Sequence, residues 1–352
     1  MKTCFILLAV LFLSIIDLEQ GPPVHAWLAE AWTSAKVLTR LDQDFQNNMS
    51  GVFWNPKTRT FWVCCNGGPS AFWALREDGA GSLMIATNDT QTPAKYVLAG
   101  GDLEGICQVD YDSPRVCLLF EGEDLIKEYN GSTYGKAVLE TQWDISAYVP
   151  TKGGKGSEGI TFIPNEWLIK SGFVDARGLP YISQNDLHGL MFVGHQNGGK
   201  IYVFDLSREN KSVHFVGAYK TSRKDSSALE FDRSDGLLYV WHNIGPNYLE
   251  ITRLSSLVDG EERYLSSVAE FVGPKGGNLE GIAIASSAKN DKWCLIVDDD
   301  NQAGAAIMWF RQFRPSMYLL RASVEAGDSF DKKRCHYLSD GSNISRSFPS
   351  SS

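Results

Sequence analysis

The chain is short of positive charge. Its 33 lysines and arginines face 42 acidic residues, a net charge of −9 over 352 residues, and they gather into no basic face. A polyanion such as nucleic acid would be repelled. Histidine and cysteine are sparse at six and seven, and no CxxC spacing suggests a zinc site. The sequence also lacks a GxSxG elbow, a Walker loop and HExxH, the signatures of α/β-hydrolases, P-loop proteins and zincins. Gly198-Gly199-Lys200 reads as a tight turn, and Lys152 to Gly156 as an exposed connection. Beyond the N-terminus no run is long and apolar enough to cross a bilayer, so no membrane span and a soluble mature product are expected. With 43% hydrophobic residues the chain has ample material for a packed core.

The N-terminus is different. Lys2, an apolar run from Cys4 to Ile16, then Pro22, Pro23 and the small-residue site Val24-His25-Ala26 have the order of a signal peptide. Residues 1–26 are expected to be removed after Ala26 and the product secreted, with a mature charge of −8 once Lys2, Asp17 and Glu19 are lost. In that setting Asn88, Asn130, Asn210 and Asn343 are glycosylation candidates, each with Ser or Thr two positions on. A fifth sequon, Asn48, is set aside because Ser50 begins a buried strand. Six cysteines remain after Cys4 is lost. Cys107 and Cys117 are the pair best placed for a disulfide, on strands expected to be consecutive and antiparallel. Free buried thiols are the competing reading.

A repeat organises the rest. The cassettes Met49-Ser50-Gly51-Val52, Leu103-Glu104-Gly105-Ile106, Ser157-Glu158-Gly159-Ile160, Ser226-Ser227-Ala228-Leu229 and Leu279-Glu280-Gly281-Ile282 recur at intervals of 54, 54, 69 and 53 residues. The long interval holds an inserted loop, Asn165 to Leu187. Each unit reads as an inner strand, a polar turn, a richer second strand such as Thr60-Phe61-Trp62-Val63 or Leu237-Leu238-Tyr239-Val240, then a third and a fourth strand. Four short strands per unit predict an all-β fold, a five-bladed β-propeller of four-stranded blades over residues 27–313. Lys36 to Arg40 belongs to no earlier unit, and is expected to complete the last blade and close the ring. Residues 314–352 fall outside the period and form a C-terminal extension.

In a propeller the inner strands line the axis, so Ser50, Glu104, Glu158, Ser227 and Glu280 are predicted to converge there. Three carboxylates in one channel repel one another unless a cation offsets them. An oxygen-only set including hydroxyls suits calcium or another hard divalent cation. The alternative is that Ser/Glu-Gly is only the grammar of blade packing. The second strands end in Cys65-Asn66, Glu121-Gly122-Glu123, His195-Gln196-Asn197, His242-Asn243 and Asp298-Asp299-Asp300-Asn301. These form a second predicted ring, with His195, His242 and Glu121 as acid/base candidates beside a metal.

Asp102-Leu103-Glu104-Gly105-Ile106, Asn278-Leu279-Glu280-Gly281-Ile282 and Ser227-Ala228-Leu229-Glu230-Phe231-Asp232 resemble the SdiA-regulated family, related to phytase-like and esterase-like propellers. The likeness spans about Lys36 to Phe313. It implies an acidic axial site that binds calcium, and it adds weight to ester or phosphoester hydrolysis. The chain departs from that pattern at Cys64-Cys65, where an acidic or amide residue is expected, which weakens the transfer of a catalytic role to the first unit. Three functions stay open: a divalent-metal hydrolase of phosphoesters, esters or lactones acting on a small molecule; a non-catalytic module for an extracellular ligand with a structural cation; and a secreted enzyme of other, for example oxidative, chemistry.

Overall fold

A computed structural model describes residues 23–315 except 47, 151–154, 275, 287–291 and 301–304. Residues 1–22 of the expected signal peptide, Asn301, Cys335, Asn343 and nearly all of the C-terminal extension lie outside the described residues. Strand makes up 54% and helix 7% of the described residues, so the protein is all-β.

The strands form antiparallel meanders in chain order. Met49–Asn55, Thr60–Cys65 and Ala71–Glu77 pair in turn, and both Leu83–Ile85 and Lys95–Val97 pair with the third. Leu103–Cys107, Arg115–Phe120, Leu125–Thr133 and Lys136–Asp144 make the next meander. Ser157–Pro164, Gly189–His195, Lys200–Leu206 and Val213–Lys220 follow. Ala228–Asp232, Leu237–His242, Tyr248–Asp259 and Glu262–Val272 come fourth, joined to the third by the single parallel pair Lys220↔Tyr264. The last comprises Leu279–Ser286, Lys292–Asp298 and Ile307–Phe313, and Lys36–Val37 completes it from the other end of the chain. Thr39 and Arg40, expected as the end of that strand, instead lie in a turn of 3-10 helix, Thr39–Leu41.

The first strand of each meander lies against the first strand of the next, and Leu279–Ser286 returns to Met49–Asn55. The cassette glycines make this closeness possible. A Cβ on Gly51 would lie 3.0 Å from the Gly105 Cα, on Gly105 2.7 Å from the Glu158 carbonyl, on Gly159 2.6 Å from the Leu229 nitrogen, and on Gly281 3.1 Å from the Ser50 carbonyl. The lack of a side chain therefore lets backbones touch around a common axis. Between adjacent sheets the packing is largely apolar. Trp73, Trp143, Trp241 and Trp309 are fully buried there, each contributing roughly 2–3 kcal/mol by area.

The insertion after Pro164 is not all loop. Asn165–Ser171 is a helix that buries Leu168 and sets Trp167 edge-on to Phe231 at 5.8 Å, and Gly172 ends it in the left-handed region at φ 66°. Near the N-terminus, Val24–His25 pairs in parallel with Glu262–Val272, and the Trp27 ring packs on Trp32, Trp241, Phe310 and Phe313. Cleavage after Ala26 would remove that two-residue strand and make Trp27 the first residue.

The expected Cys107–Cys117 disulfide is not formed. The two residues do face each other across antiparallel strands, but both thiols are free. Cys107 Sγ lies 3.7 Å from Met191 Sδ and Cys117 Sγ 3.9 Å from Glu128 Oε1. The two thiols lie beside each other, unbonded, in the sealed core, and each packs as a small apolar group. Cys64, Cys65 and Cys294 are likewise free and buried. Of the described sequons Asn88 and Asn210 are exposed, Asn48 and Asn130 are half-buried, and Asn130 donates to Glu140 at 2.8 Å.

Candidate functional site

Strand alternation sends the residue before each cassette glycine toward the axis. Glu104, Glu158 and Glu280 meet there, with one carboxylate oxygen of each within 4.8 Å of the others. They are 4%, 3% and 6% exposed. Glu104 also belongs to a second acidic group with Asp102 and Glu121. Just inside, a narrow cavity is lined by equivalent cassette residues of all five inner strands, among them Gly51, Gly105, Gly159, Ala228 and Gly281.

Amides and carboxyls from neighbouring sheets hold the acids. Asn66, at the end of a second strand, donates to Glu104 Oε1 at 2.6 Å, and Asn278 donates to Glu280 Oε1 at 2.6 Å and to Asp299 Oδ2 at 3.0 Å. Asn243 donates in turn to the Asn278 carbonyl oxygen. Three buried oxygens of this network have no partner: Glu104 Oε2, Asn66 Oδ1 and Asp299 Oδ1.

Electrostatics follow from this crowding. Burial pushes the Glu104 carboxyl up to about 8; the Asn66 hydrogen bond opposes the shift, and Asp102, Glu121 and Asp299 add to it. Burial, then Glu104 and Glu280, raise Glu158 well above the usual range, and burial with Glu104 and Asp299 does the same for Glu280. Glu121 is raised by burial and by Asp102. Nearby, burial lifts Asp225 to about 6, against the Asn243 backbone N–H, His242 and Lys155.

The remaining predicted residues divide. Glu121 joins the acids, as do Asn66, Asn243 and Asp299 of the second ring. Ser50 and Ser227 sit on the inner strands with their hydroxyls on backbone: Ser50 Oγ donates to the Asn48 carbonyl at 3.2 Å, and Ser227 Oγ lies 3.3 Å from the carbonyls of Trp241 and Leu279. His195 is buried, with Nδ1 accepting the Asn197 N–H at 3.0 Å and Nε2 3.1 Å from the Pro150 carbonyl; burial lowers its pKa. His242 is equally buried, between the Asp225 carbonyl and Glu250 Oε2, the latter at 2.9 Å. Neither histidine belongs to an acidic group able to hold a metal among the described residues. Asp298 caps its own turn, receiving the N–H of Asn278 and of Asp300. Sequence reading missed the roles of Asp102 and Asn278 two positions before the glutamates, and of Asp225 two before Ser227. Their signal was the recurring polar residue at that offset.

Sheets around an axis with a buried acidic cluster at one end define an all-β protein of propeller type. No family model matches the chain, so the SdiA-regulated resemblance has no matching model behind it, and no curated protein matches it in sequence. In fold it is similar to glutaminyl cyclase of Myxococcus xanthus (TM-score 0.43, 10% identity, 76% of this chain and 90% of that one). It is also similar to the periplasmic gluconolactonase PpgL of Pseudomonas aeruginosa (TM-score 0.38, 12% identity, 69% and 60%). A third likeness is to a protein from Lactobacillus plantarum (TM-score 0.36, 10% identity, 75% and 70%). The chain spans only 60% of the gluconolactonase's length.

Proposed function

We propose that the protein is a secreted five-bladed propeller that holds calcium, or another divalent cation, on Glu104, Glu158 and Glu280, and that it hydrolyses esters, lactones or phosphoesters at that end of the axis. The closed circle of contacts between inner strands and the Lys36–Val37 strand in the last sheet support five blades. The cation rests on one observation: three buried carboxylates share a site in which Glu104 Oε2 has no partner. An all-oxygen donor set suits a hard cation, and no cysteine or histidine competes for it in that group. When bound, such a cation supplies positive charge to polarise a substrate carbonyl or phosphoryl oxygen.

The chain's own residues supply the rest. Asn66 and Asn278 each hold one oxygen of Glu104 and Glu280 by a hydrogen bond, which fixes the orientation of both carboxyl groups. Glu121, half-buried beside Asp102 and raised from its ordinary value by burial and that neighbour, is the carboxyl placed to exchange a proton there. His195 and His242 have no part in this scheme, since their ring nitrogens are engaged elsewhere.

A second reading is favoured by depth. Carboxylates only 3–6% exposed suit a cation that locks the inner strands, leaving the rim to bind an extracellular ligand. Metal analysis of the purified protein, then turnover of an ester, lactone and phosphoester panel with and without chelator, separates the two. Chelator-sensitive turnover that disappears in Glu104→Gln supports the hydrolase. Bound metal and chelator-sensitive stability without turnover support the module, and a protein that takes up no divalent cation sinks both.

A further inference from the structure

The inner strands have a second end. Trp54 lies four residues beyond Ser50 on the same strand, roughly 13 Å further along at about 3.3 Å per residue. There, Trp54, Tyr111, Glu230, Phe231, Arg233 and Ile284 line a separate cavity with about 490 Å³ of empty space, part of it open to solvent. None of these residues belongs to the acidic groups at the other end.

Three buried side-chain atoms of that lining have no hydrogen-bond partner: Trp54 Nε1, Glu230 Oε2 and Arg233 Nε. Such atoms are costly to leave unmet, and finding three on one cavity wall points to a ligand that meets them together. Neighbours hold each group in place. Glu230 is 2% exposed, and its carboxyl receives the Ile284 backbone N–H. Arg233 donates through Nη2 to the Val109 carbonyl at 3.3 Å and stacks on Tyr111, with its guanidinium carbon 3.8 Å from the ring centre. The Trp54 ring packs on Phe61 with centroids 4.5 Å apart.

Charge does not select an ion here. Asp232 also lines the cavity and shares Lys292 with Asp235, so these two acids offset Lys292 and Arg233. The hydrogen-bonding pattern is what discriminates. The indole and guanidinium nitrogens only donate, so the ligand must accept two hydrogen bonds. Glu230 Oε2 accepts when ionised and donates when protonated, so a ligand that suits both states carries a donor beside its acceptor. An ammonium has no acceptor, and a carboxylate has no donor. A primary amide has both, with two lone pairs on its carbonyl oxygen. We infer that this cavity binds a small uncharged primary amide on an apolar body, its carbonyl oxygen received by Trp54 Nε1 and Arg233 Nε, its N–H directed to Glu230 Oε2, and its body set against Phe231 and Ile284.

Benzamide is the probe, titrated calorimetrically into the full protein beside benzoate, benzylamine and acetophenone. Acetophenone keeps the carbonyl and the shape but replaces the NH2 group by methyl. Benzamide is expected to bind at least about tenfold more tightly than any of the three. Trp54→Phe, which loses the indole N–H, is expected to weaken benzamide about five- to tenfold. Glu230→Gln keeps a donor and an acceptor and is expected to stay within about threefold of the parent, whereas Glu230→Leu should bring benzamide and acetophenone within about threefold of each other. Thermal melts check that each variant folds; should Glu230→Leu not fold, Trp54→Phe and the ligand series on the parent answer without it. The inference is overturned if benzamide does not bind, if benzoate, benzylamine or acetophenone binds as tightly, or if folded Trp54→Phe leaves the benzamide affinity unchanged.

Discussion

Asn66 donates a 2.6 Å hydrogen bond to one oxygen of Glu104 across the junction of two sheets, while the other oxygen of Glu104 and the side-chain amide oxygen of Asn66 have no partner. The pair therefore fixes the carboxylate without satisfying it. Above about pH 8, where folded Glu104 is ionised, replacing it by Gln removes one like charge from the cluster but keeps the shape. In chelator at that pH, Glu104→Gln should be more stable than the parent by about 1–2 kcal/mol. In calcium the order should reverse, since saturation at 100 times Kd stabilises only the parent, by about 2.7 kcal/mol. Paired thermal melts check both signs, and a variant still stabilised by calcium would count against these ligands.

The pH dependence of the metal-free protein has a definite sign. Glu104 titrates near 8 when folded, against an ordinary value of 4.5. Between those values the folded chain holds a proton that the unfolded chain has released, so stability falls as pH rises through that window and levels off above it. Glu158 and Glu280, also raised, push in the same direction. The melting temperature in chelator should drop from pH 5 to pH 8. Calcium should offset the drop most at pH 8, where its ligands no longer have to give up protons.

Gly159→Ala tests the closed circle of inner strands. Its Cβ would come 2.6 Å from the Leu229 nitrogen and 2.7 Å from the Ala228 Cα, which are backbone atoms with no rotamer to change. The substitution should cost about 3 kcal/mol. Gly68→Ala, where a Cβ meets nothing within 4 Å, is the control and should stay within about 0.5 kcal/mol. Urea denaturation of the two variants measures the contrast.

His242 distinguishes a structural from a catalytic histidine. Burial alone would raise Glu250, but the hydrogen bonds from His242 and Ser222 overcome it and hold the carboxylate below the ordinary 4.5. His242→Ala leaves that buried charge without its ring partner and should destabilise by about 3–5 kcal/mol. Urea denaturation reads the loss. An unchanged midpoint would remove His242 from its structural role.

The cassette period was legible because its causes are local. Period-two alternation, turn residues and a glycine at each close approach are written within a few residues of one another, so all-β order, the meanders and the inward acids Glu104, Glu158 and Glu280 follow from the chain alone. Glu121 was legible for the same reason, as a polar residue ending an apolar strand. The helix inside the insertion was not, since seven residues are too few for periodicity to outweigh loop composition.

What only the tertiary structure decided is how each polar or sulfur atom spends its bonding capacity. His195 is bound to a carbonyl 45 residues away, Ser227 lies against one 52 residues away, and Cys107 rests on a methionine 84 residues away. The sequence determined which side chains face the axis, because strand geometry is set by neighbours in the chain. Their state there depended on distant partners, because desolvation and hydrogen bonding are settled only when the sheets close.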